Sequence, residues 1–110
     1  MNEEVKNYID KYPDTIKSIF CQLRELLLDC TRCEVEEKLW AKLPSYYVNE
    51  KFVRLIPFKD HINVEANTIA EHVDMLDGYK ITPKGMLQIY LKDAVPVQAL
   101  EKIFRGTLVR

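Results

Sequence analysis

The sequence predicts an α+β domain, and three observations support that prediction. Apolar residues recur every third or fourth position before Pro44, alternate with polar residues after it, and return to helical spacing near the C-terminus. Spacings of three and four place side chains on one face of a helix, whereas alternation places them on one face of a strand. We therefore expect an antiparallel four-stranded sheet with helices packed on one face, in the order α-α-α-β-β-β-α-β-α.

The N-terminal part of the chain carries three predicted helices. A four-turn helix is expected over residues 14–30, where one stripe is continuously apolar. A shorter helix precedes it and ends at Tyr12, because Pro13 disfavours helical geometry in the residue before it. A third helix, over residues 33–42, is predicted from three apolar residues spaced four apart: Val35, Leu39 and Leu43.

Strands are predicted where the period changes to two. They cover about residues 45–49, 52–58, 61–66 and 86–91. The first three are expected to form a meander, because the segments that connect them have the length of hairpin turns.

Two more helices complete the predicted order. Thr68 and Glu71 have the spacing of a capping box, in which both side chains bind backbone N–H groups at a helix N-terminus. Gly78 ends this helix, since glycine readily adopts the left-handed conformation found at that position. The last helix begins at Pro96, a residue favoured in first turns, and is expected to end at Gly106.

Length and composition predict one cytoplasmic domain over residues 1–110. The chain is 47% hydrophobic and 30% charged, and its apolar runs are far shorter than the roughly 18 residues that span a membrane. Its first residues, Met1-Asn2-Glu3-Glu4, are acidic where a secretory signal is basic. Three cysteines, an odd number, favour free thiols in a reducing compartment. We therefore expect no membrane association.

Charge is distributed unevenly along the chain. Residues 1–37 hold nine acids and five bases (−4), residues 38–78 hold six and five (−1), and residues 79–110 hold two and six (+4). The sequence pI is about 6.1, whereas nucleic-acid-binding domains usually combine a high pI with a clustered basic stripe. The C-terminal bases are instead spread out: Lys80, Lys84, Lys92, Lys102, Arg105 and Arg110. We therefore expect no nucleic-acid partner.

Cys30 and Cys33 form a Cys-x-x-Cys motif, which is typical of redox or metal sites. A redox pair needs a stabilised thiolate, but Cys30 closes the long predicted helix, where the negative end of the dipole disfavours one. A structural zinc site needs four ligands, and the only histidines are His61 and His72. Structural thiols are the favoured interpretation, with metal and redox chemistry as alternatives.

The aromatic residues predict a ligand pocket between the helices and the sheet. Small-molecule pockets combine apolar walls with a few polar anchors, and histidine adds a group that changes charge near neutral pH. Packing of the same rings in the core is the alternative. The residues assigned to the pocket are Glu37, Trp40, Tyr46, Lys59, His61 and Tyr79.

Several of these residues stand in a pattern that resembles a known family. The pattern consists of Glu37, Pro44 and Tyr46, then Phe58-Lys59-x-His61-Ile62, then Gly78-Tyr79-Lys80, Gly85 and the strand Leu87 to Leu91, and finally Pro96. In order and spacing it resembles the YdhG-like family of small bacterial domains, over nearly the whole chain. Most members have no assigned biochemistry. Some resemble frataxins in fold and are described as intracellular iron chaperones, so the resemblance implies weak iron binding.

Carboxylates are the expected donors if iron is the ligand, because hard cations prefer oxygen ligands. Glu34, Glu36 and Glu37 lie together at the predicted third helix, and a second acidic group lies at the first: Glu3, Glu4, Asp10 and Asp14. A solvated helix face is the alternative, since acids near helix N-termini are favoured by the dipole.

The leading functional hypothesis is a small non-enzymatic cytosolic protein that holds iron weakly, as a chaperone-like domain. The alternative is a small-molecule or peptide-binding module that uses the aromatic pocket. No enzymatic activity is expected, because no acid and base are paired at identifiable positions. The sequence leaves open whether the chain is a monomer or a homodimer.

Overall fold

A computed structural model describes residues 1–109 and centres on one antiparallel sheet of six strands. The strands are β1 (Glu36–Trp40), β2 (Leu43–Val48), β3 (Lys51–Pro57), β4 (His61–Glu65), β5 (Lys80–Ile81) and β6 (Leu87–Tyr90). Their order across the sheet is β1-β2-β3-β4-β6-β5. Tight turns join β1 to β4 in succession, and β6 returns to pair with β4, so that the short β5 lies at the far edge.

Three α-helices and one 3-10 helix complete the described chain. They are α1 (Glu3–Ile9), α2 (Asp14–Asp29), the 3-10 helix (Ile69–Met75) and α3 (Val97–Leu108). Pro13 and Pro96 directly precede α2 and α3, where a missing N–H removes no helical hydrogen bond. None of these helices is long and apolar enough to cross a membrane. Arg110, one of the C-terminal bases, lies outside the described residues.

The helices cover one face of the sheet and form a hydrophobic core with it. Alternate residues of the central strands point into this core and are fully buried: Val53 and Leu55 of β3, Ile62 and Val64 of β4. The helices contribute an opposing set: Ile16, Phe20, Leu23 and Leu27 of α2, Leu100, Ile103 and Phe104 of α3. Each fully buried side chain of this kind contributes roughly 1.5–3 kcal/mol, so this face holds the domain together.

The structure is α+β, but the predicted four-stranded sheet and the predicted order of elements are wrong. No helix forms over residues 33–42, where a third helix was expected, and residues 36–40 of that range form strand β1. Glu, Lys and Leu favour helices in isolation. Here Glu36–Trp40 pairs with β2 along its whole length, from Glu36 opposite Tyr47 to Trp40 opposite Leu43. Those cross-strand contacts override the local preference.

Other expected details also differ. Strand β5 has two residues, too few for alternation to show in the sequence. The Thr68 hydroxyl does not cap the 3-10 helix; it donates to the Ile103 carbonyl oxygen at 2.8 Å and lies 2.8 Å from the Thr107 hydroxyl. Thr68 therefore ties the 3-10 helix to α3. Helix α3 was expected to end at Gly106, but it continues to Leu108.

The other face of the sheet is covered by no described helix, and we call it the open face. Residues paired across neighbouring strands share a face, so the register assigns its members. They are Glu36, Lys38, Trp40, Leu43, Ser45, Tyr47, Phe52, Arg54, Ile56, His61, Asn63, Glu65, Lys80, Gln88 and Tyr90. The face is rich in aromatic and polar side chains.

The turn between β1 and β2 contains strained backbone. Ala41 and Lys42 have φ angles of +50° and +66°, a left-handed conformation that costs a non-glycine residue about 1 kcal/mol. We expect Lys42→Gly to raise the free energy of unfolding by about 0.5–1 kcal/mol, because relief of strain outweighs the added flexibility of the unfolded chain. Urea unfolding measures the change.

Lys59→Gly is the matched control for that substitution. Lys59 is also an exposed lysine in a turn between strands, but its φ is not positive. We expect this substitution to lower the free energy of unfolding by about 0.5 kcal/mol, since glycine there only adds entropy to the unfolded chain. Equal effects of the two substitutions would contradict strain at Lys42.

Candidate functional site

The residues predicted to line one pocket do not share one hollow. Neighbouring residues of a strand point to opposite faces of a sheet. Glu37 and Tyr46, which are cross-strand partners, face the helices. Trp40 and His61 lie on the open face. The remaining two lie elsewhere: Lys59 in the exposed β3–β4 turn, and Tyr79 in the segment before β5.

Glu37 forms a largely buried ion pair that ties the N-terminus to the sheet. Its carboxylate accepts hydrogen bonds from Arg24 of α2 at 2.5 and 3.2 Å and from the Asn2 backbone N–H at 2.6 Å. Burial alone would raise the pKa of Glu37, but the hydrogen bonds from Arg24 and Asn2 lower it below the ordinary value. The carboxylate is therefore engaged in structural contacts.

Tyr46 is buried beside this ion pair, in the helix-facing core. Its hydroxyl lies close to Glu37 and Arg24 without completing a hydrogen bond of good geometry to any described residue. Burial, followed by the negative charge of Glu37, raises the pKa of the Tyr46 phenol. The ring fills the core at zero exposure, so Tyr46 lines no solvent-accessible space.

The three carboxylates proposed as iron donors are not brought together. Glu36 lies on the open face, 3.3 Å from Lys38, whereas Glu37 pairs with Arg24 on the helix side. Glu34 precedes β1. Within residues 1–109, no group of three or more His, Cys, Asp or Glu side chains is arranged so that it could hold a metal ion.

The cysteines of the described chain are free thiols. Cys30 is buried at the C-terminal end of α2, and Cys33 is exposed in the following loop. Burial raises the pKa of the Cys30 thiol above its ordinary value, which lowers the fraction present as nucleophilic thiolate. This buried environment favours a structural role for Cys30 over a redox role.

Arg54 organises a stack of planar side chains on the open face. Its guanidinium carbon lies 4.1 Å from the centroid of the Trp40 ring and 3.9 Å from that of Phe52. Its N–H groups donate hydrogen bonds to three oxygens at 3.1–3.2 Å: Ser45 Oγ, Glu65 Oε1 and Tyr47 OH. We call Trp40, Arg54, Phe52 and Tyr47 the first stack.

A second stack lies across β3, β4 and β6. The His61 ring lies between Phe58 and Tyr90, with centroid distances of 4.4 and 4.6 Å and interplanar angles of 6° and 23°. His61 Nδ1 is hydrogen-bonded to the Asp60 carboxylate at 2.7 Å, which fixes the ring. Phe58 is 42% exposed, so the end of this second stack is accessible. Lys80 lies at its other end, 5.3 Å from the Tyr90 centroid.

Amide groups occupy the strip between the two stacks. Gln88 Nε2 donates to Asn63 Oδ1 at 3.2 Å, and Asn63 Nδ2 lies 3.9 Å from the sulfur of Met86. Ile56 lies opposite Asn63 in the neighbouring strand. The open face therefore presents planar rings on two sides and polar amides between them.

Of these rings, Trp40 and His61 were predicted from the sequence to bind a ligand, but in the space between the helices and the sheet. The available signal was the alternation along β3, where Phe52 and Arg54 share one face and Val53 and Leu55 share the other. Alternation separates two faces without showing which one the helices cover. The central member of the first stack, Arg54, was given no role.

A scan of protein-family models, a search of curated proteins and a search of solved structures each found no match to this chain. The YdhG-like resemblance therefore stays a prediction, and so does the iron binding that it implies.

The ion pair of Glu37 and Arg24 predicts a loss of stability on substitution and on acidification. We expect Glu37→Gln to lower the free energy of unfolding by about 2–3 kcal/mol, because Arg24 is left half-buried without its partner charge. Because the pKa of Glu37 is lower in the folded state, its contribution is present above the ordinary glutamate pKa of about 4.3 and is lost as the pH falls below it. Urea unfolding from neutral pH to about pH 3 measures both effects.

Glu36→Gln is the matched control, since Glu36 precedes Glu37 but lies exposed on the other face. We expect it to change the free energy of unfolding by less than about 0.5 kcal/mol. The acid-dependent loss of stability should be smaller in Glu37→Gln than in the natural chain. An unchanged acid profile in that variant would contradict the assigned role of Glu37.

Proposed function

We propose that this protein is a non-enzymatic, cytoplasmic binding module that recognises an extended apolar polypeptide segment on its open face. The observation that carries the proposal is the presence of two stacks of planar side chains on a sheet face covered by no described helix. Trp, Tyr and Arg are the side chains that most often dominate the energy of protein recognition. On the open face Trp40 is half exposed and Tyr47 and Tyr90 are partly exposed, while the buried Arg54 holds the Trp40 and Phe52 rings in place.

The charges of the open face favour a polypeptide over a nucleic acid. Two of the three Lys and Arg side chains on this face are paired with carboxylates: Lys38 lies 3.3 Å from Glu36, and Arg54 lies 3.1 Å from Glu65. The third, Lys80, lies over the Tyr90 ring. Nucleic acids gain much of their affinity from cations that neutralise phosphates and release counterions. Cations that are already paired contribute little to that effect. An apolar segment, by contrast, requires ring surface and a few hydrogen bonds.

The strip between the stacks fits an extended segment. Aromatic-lined grooves bind extended, proline-rich segments through their rings. The partly exposed Gln88 amide, which is hydrogen-bonded to the buried Asn63, has a further N–H group that can bind a peptide backbone. Strand β3, Lys51–Pro57, sets the length of this strip at roughly 20 Å, enough for about six extended residues.

The two stacks are held in place before any ligand binds. The Arg54 side chain is 7% exposed and donates three hydrogen bonds, and the His61 side chain is 14% exposed between its two neighbouring rings. Side chains that are already ordered lose little entropy on binding, which leaves more of the contact energy as affinity. The arrangement therefore supports recognition by a preformed surface.

Affinity selection from synthetic peptides tests the proposal. One pool of short randomised peptides with free C-termini and the same pool with amidated C-termini are each mixed with the protein. Peptides that co-elute with it are identified by mass spectrometry and measured individually. Trp40 is the only tryptophan of the chain and is half exposed on the open face, so its emission should shift when a peptide covers it.

Variants of exposed rings decide where the peptides bind. We expect Trp40→Ala and Phe58→Ala each to weaken binding about tenfold or more, as the loss of a dominant contact does; anisotropy of labelled peptides measures it. Val73→Ala and Val97→Ala remove similarly exposed apolar side chains from the 3-10 helix and α3. These controls should leave the affinity unchanged.

Three outcomes would overturn the proposal. The first is that neither pool yields a binder, and the second is that the binders are insensitive to Trp40→Ala and Phe58→Ala in variants shown to be folded by circular dichroism. The third is that a short oligothymidylate binds and loses affinity in the same two variants while no peptide does. That result would make a single-stranded nucleic acid the occupant of the open face.

A further inference from the structure

A cleft of about 300 Å³ lies at one end of the open face. It is enclosed by the β2–β3 turn, the end of β4 and the β5–β6 turn. Phe52 and Glu65 belong both to the open face and to the lining of the cleft. Met86, which also lines it, lies 3.9 Å from Asn63 of the open face. The cleft is therefore continuous with the surface proposed to bind a polypeptide.

Most of the charged side chains in the cleft that have no ion-pair partner are positive. Lys51 and Lys84 line it, and neither forms an ion pair with a described residue. Of the two acids in the lining, Glu65 is bound to Arg54, and Glu50 has no such partner among the described residues. Two available ammonium groups against one available carboxylate favour an anionic group as the ligand.

Apart from these four charged residues and Asn67, the lining of the cleft is apolar. The Phe52 ring, at the end of the first stack, and the flexible side chain of Met86 provide surface for an apolar group. The volume is at the lower limit of ligand pockets. The site thus combines room for one small apolar side chain with cations that can make charge-assisted hydrogen bonds to a carboxylate.

The position of the cleft suits the end of a chain. Two turns close the sheet here, and the β5–β6 turn is held by hydrogen bonds from Gly85 N–H to the Thr82 carbonyl and from Thr82 N–H to the Met86 carbonyl, both 2.8 Å long. Gly85 adopts a φ of +91° in that turn. A segment lying along the strands reaches these turns with its last residue.

We infer that the cleft takes the C-terminal carboxylate of the bound polypeptide, between Lys51 and Lys84, together with an apolar last side chain against Phe52 and Met86. This inference rests on the proposed function, since it names which part of the polypeptide is recognised. The same carboxylate chemistry is carried by aspartate and glutamate side chains within a segment. The cleft lies between two turns at the end of the strands. This position favours the C-terminal carboxylate over an aspartate or glutamate side chain within the segment.

The two peptide pools provide the test. We expect the pool with free C-termini to yield the tighter binders, with apolar last residues enriched. Each selected peptide is then synthesised with a free C-terminus, with an amidated C-terminus, and as the amide with an aspartate in place of the residue before its apolar last residue. Amidation should weaken binding about tenfold, the effect of losing one charge-assisted contact, and the internal aspartate should not restore it.

Lysine variants assign the effect to the cleft. Lys51→Gln and Lys84→Gln should weaken binding of the free-acid peptide several-fold and leave the amidated peptide unaffected. Lys102→Gln, an exposed lysine of α3, should change neither. Because each variant is compared on an acid and amide pair of the same peptide, a general loss of folding would weaken both peptides and is thereby distinguished.

The outcomes separate this inference from the proposed function. Equal affinity of acid and amide peptides, with binding still lost in Trp40→Ala, would overturn C-terminal recognition and leave the open face as the binding surface. Restoration of affinity by the internal aspartate, or an acid preference that persists in both lysine variants, would also overturn it. Failure of both pools to bind would remove the proposed function itself.

Discussion

The helices cover only one face of the sheet, and this constraint shapes the rest of the molecule. Each central strand alternates between a dry core and a face without helical cover. Along β3, Leu55 is fully buried among helical side chains, and Arg54, one residue earlier, points the other way. The side chains of the open face must therefore be stabilised by contacts with one another. Those contacts make the open face an ordered surface.

Arg54 shows how that stabilisation is reached. Burying a guanidinium is costly unless its N–H groups are satisfied and its charge is balanced. Here three N–H groups donate hydrogen bonds, one of them to the Glu65 carboxylate that balances the charge, and two aromatic rings lie against the guanidinium. Cation–π contacts of this kind add about 0.5–2 kcal/mol each. The same contacts fix Trp40 in place while leaving half of it exposed, which links the stability of the sheet to its proposed role in binding.

The opposite side of β1 shows the same chemistry used for a structural purpose. Glu37 and Arg24 are charged, and aromatic Tyr46 lies beside them, so in the sequence they have the composition of a ligand site. In the fold, Glu37 and Arg24 join the N-terminal segment, α2 and the sheet edge. The Glu37 carboxylate already accepts hydrogen bonds from Asn2 and Arg24. Residue type alone does not separate these roles. The number of partners already bound to each polar group does.

Local sequence was sufficient for α2, for the alternating strands around β3 and for the start of α3 after Pro96, because periodicity and proline geometry act within a few residues. It was insufficient for β1, whose helix-favouring residues become a strand only through pairing with β2. Nor could it show which sheet face the helices leave uncovered, or that turns near Lys51 and Lys84 enclose one cleft. These features depend on contacts between residues far apart in the chain, and such contacts leave no periodic signal.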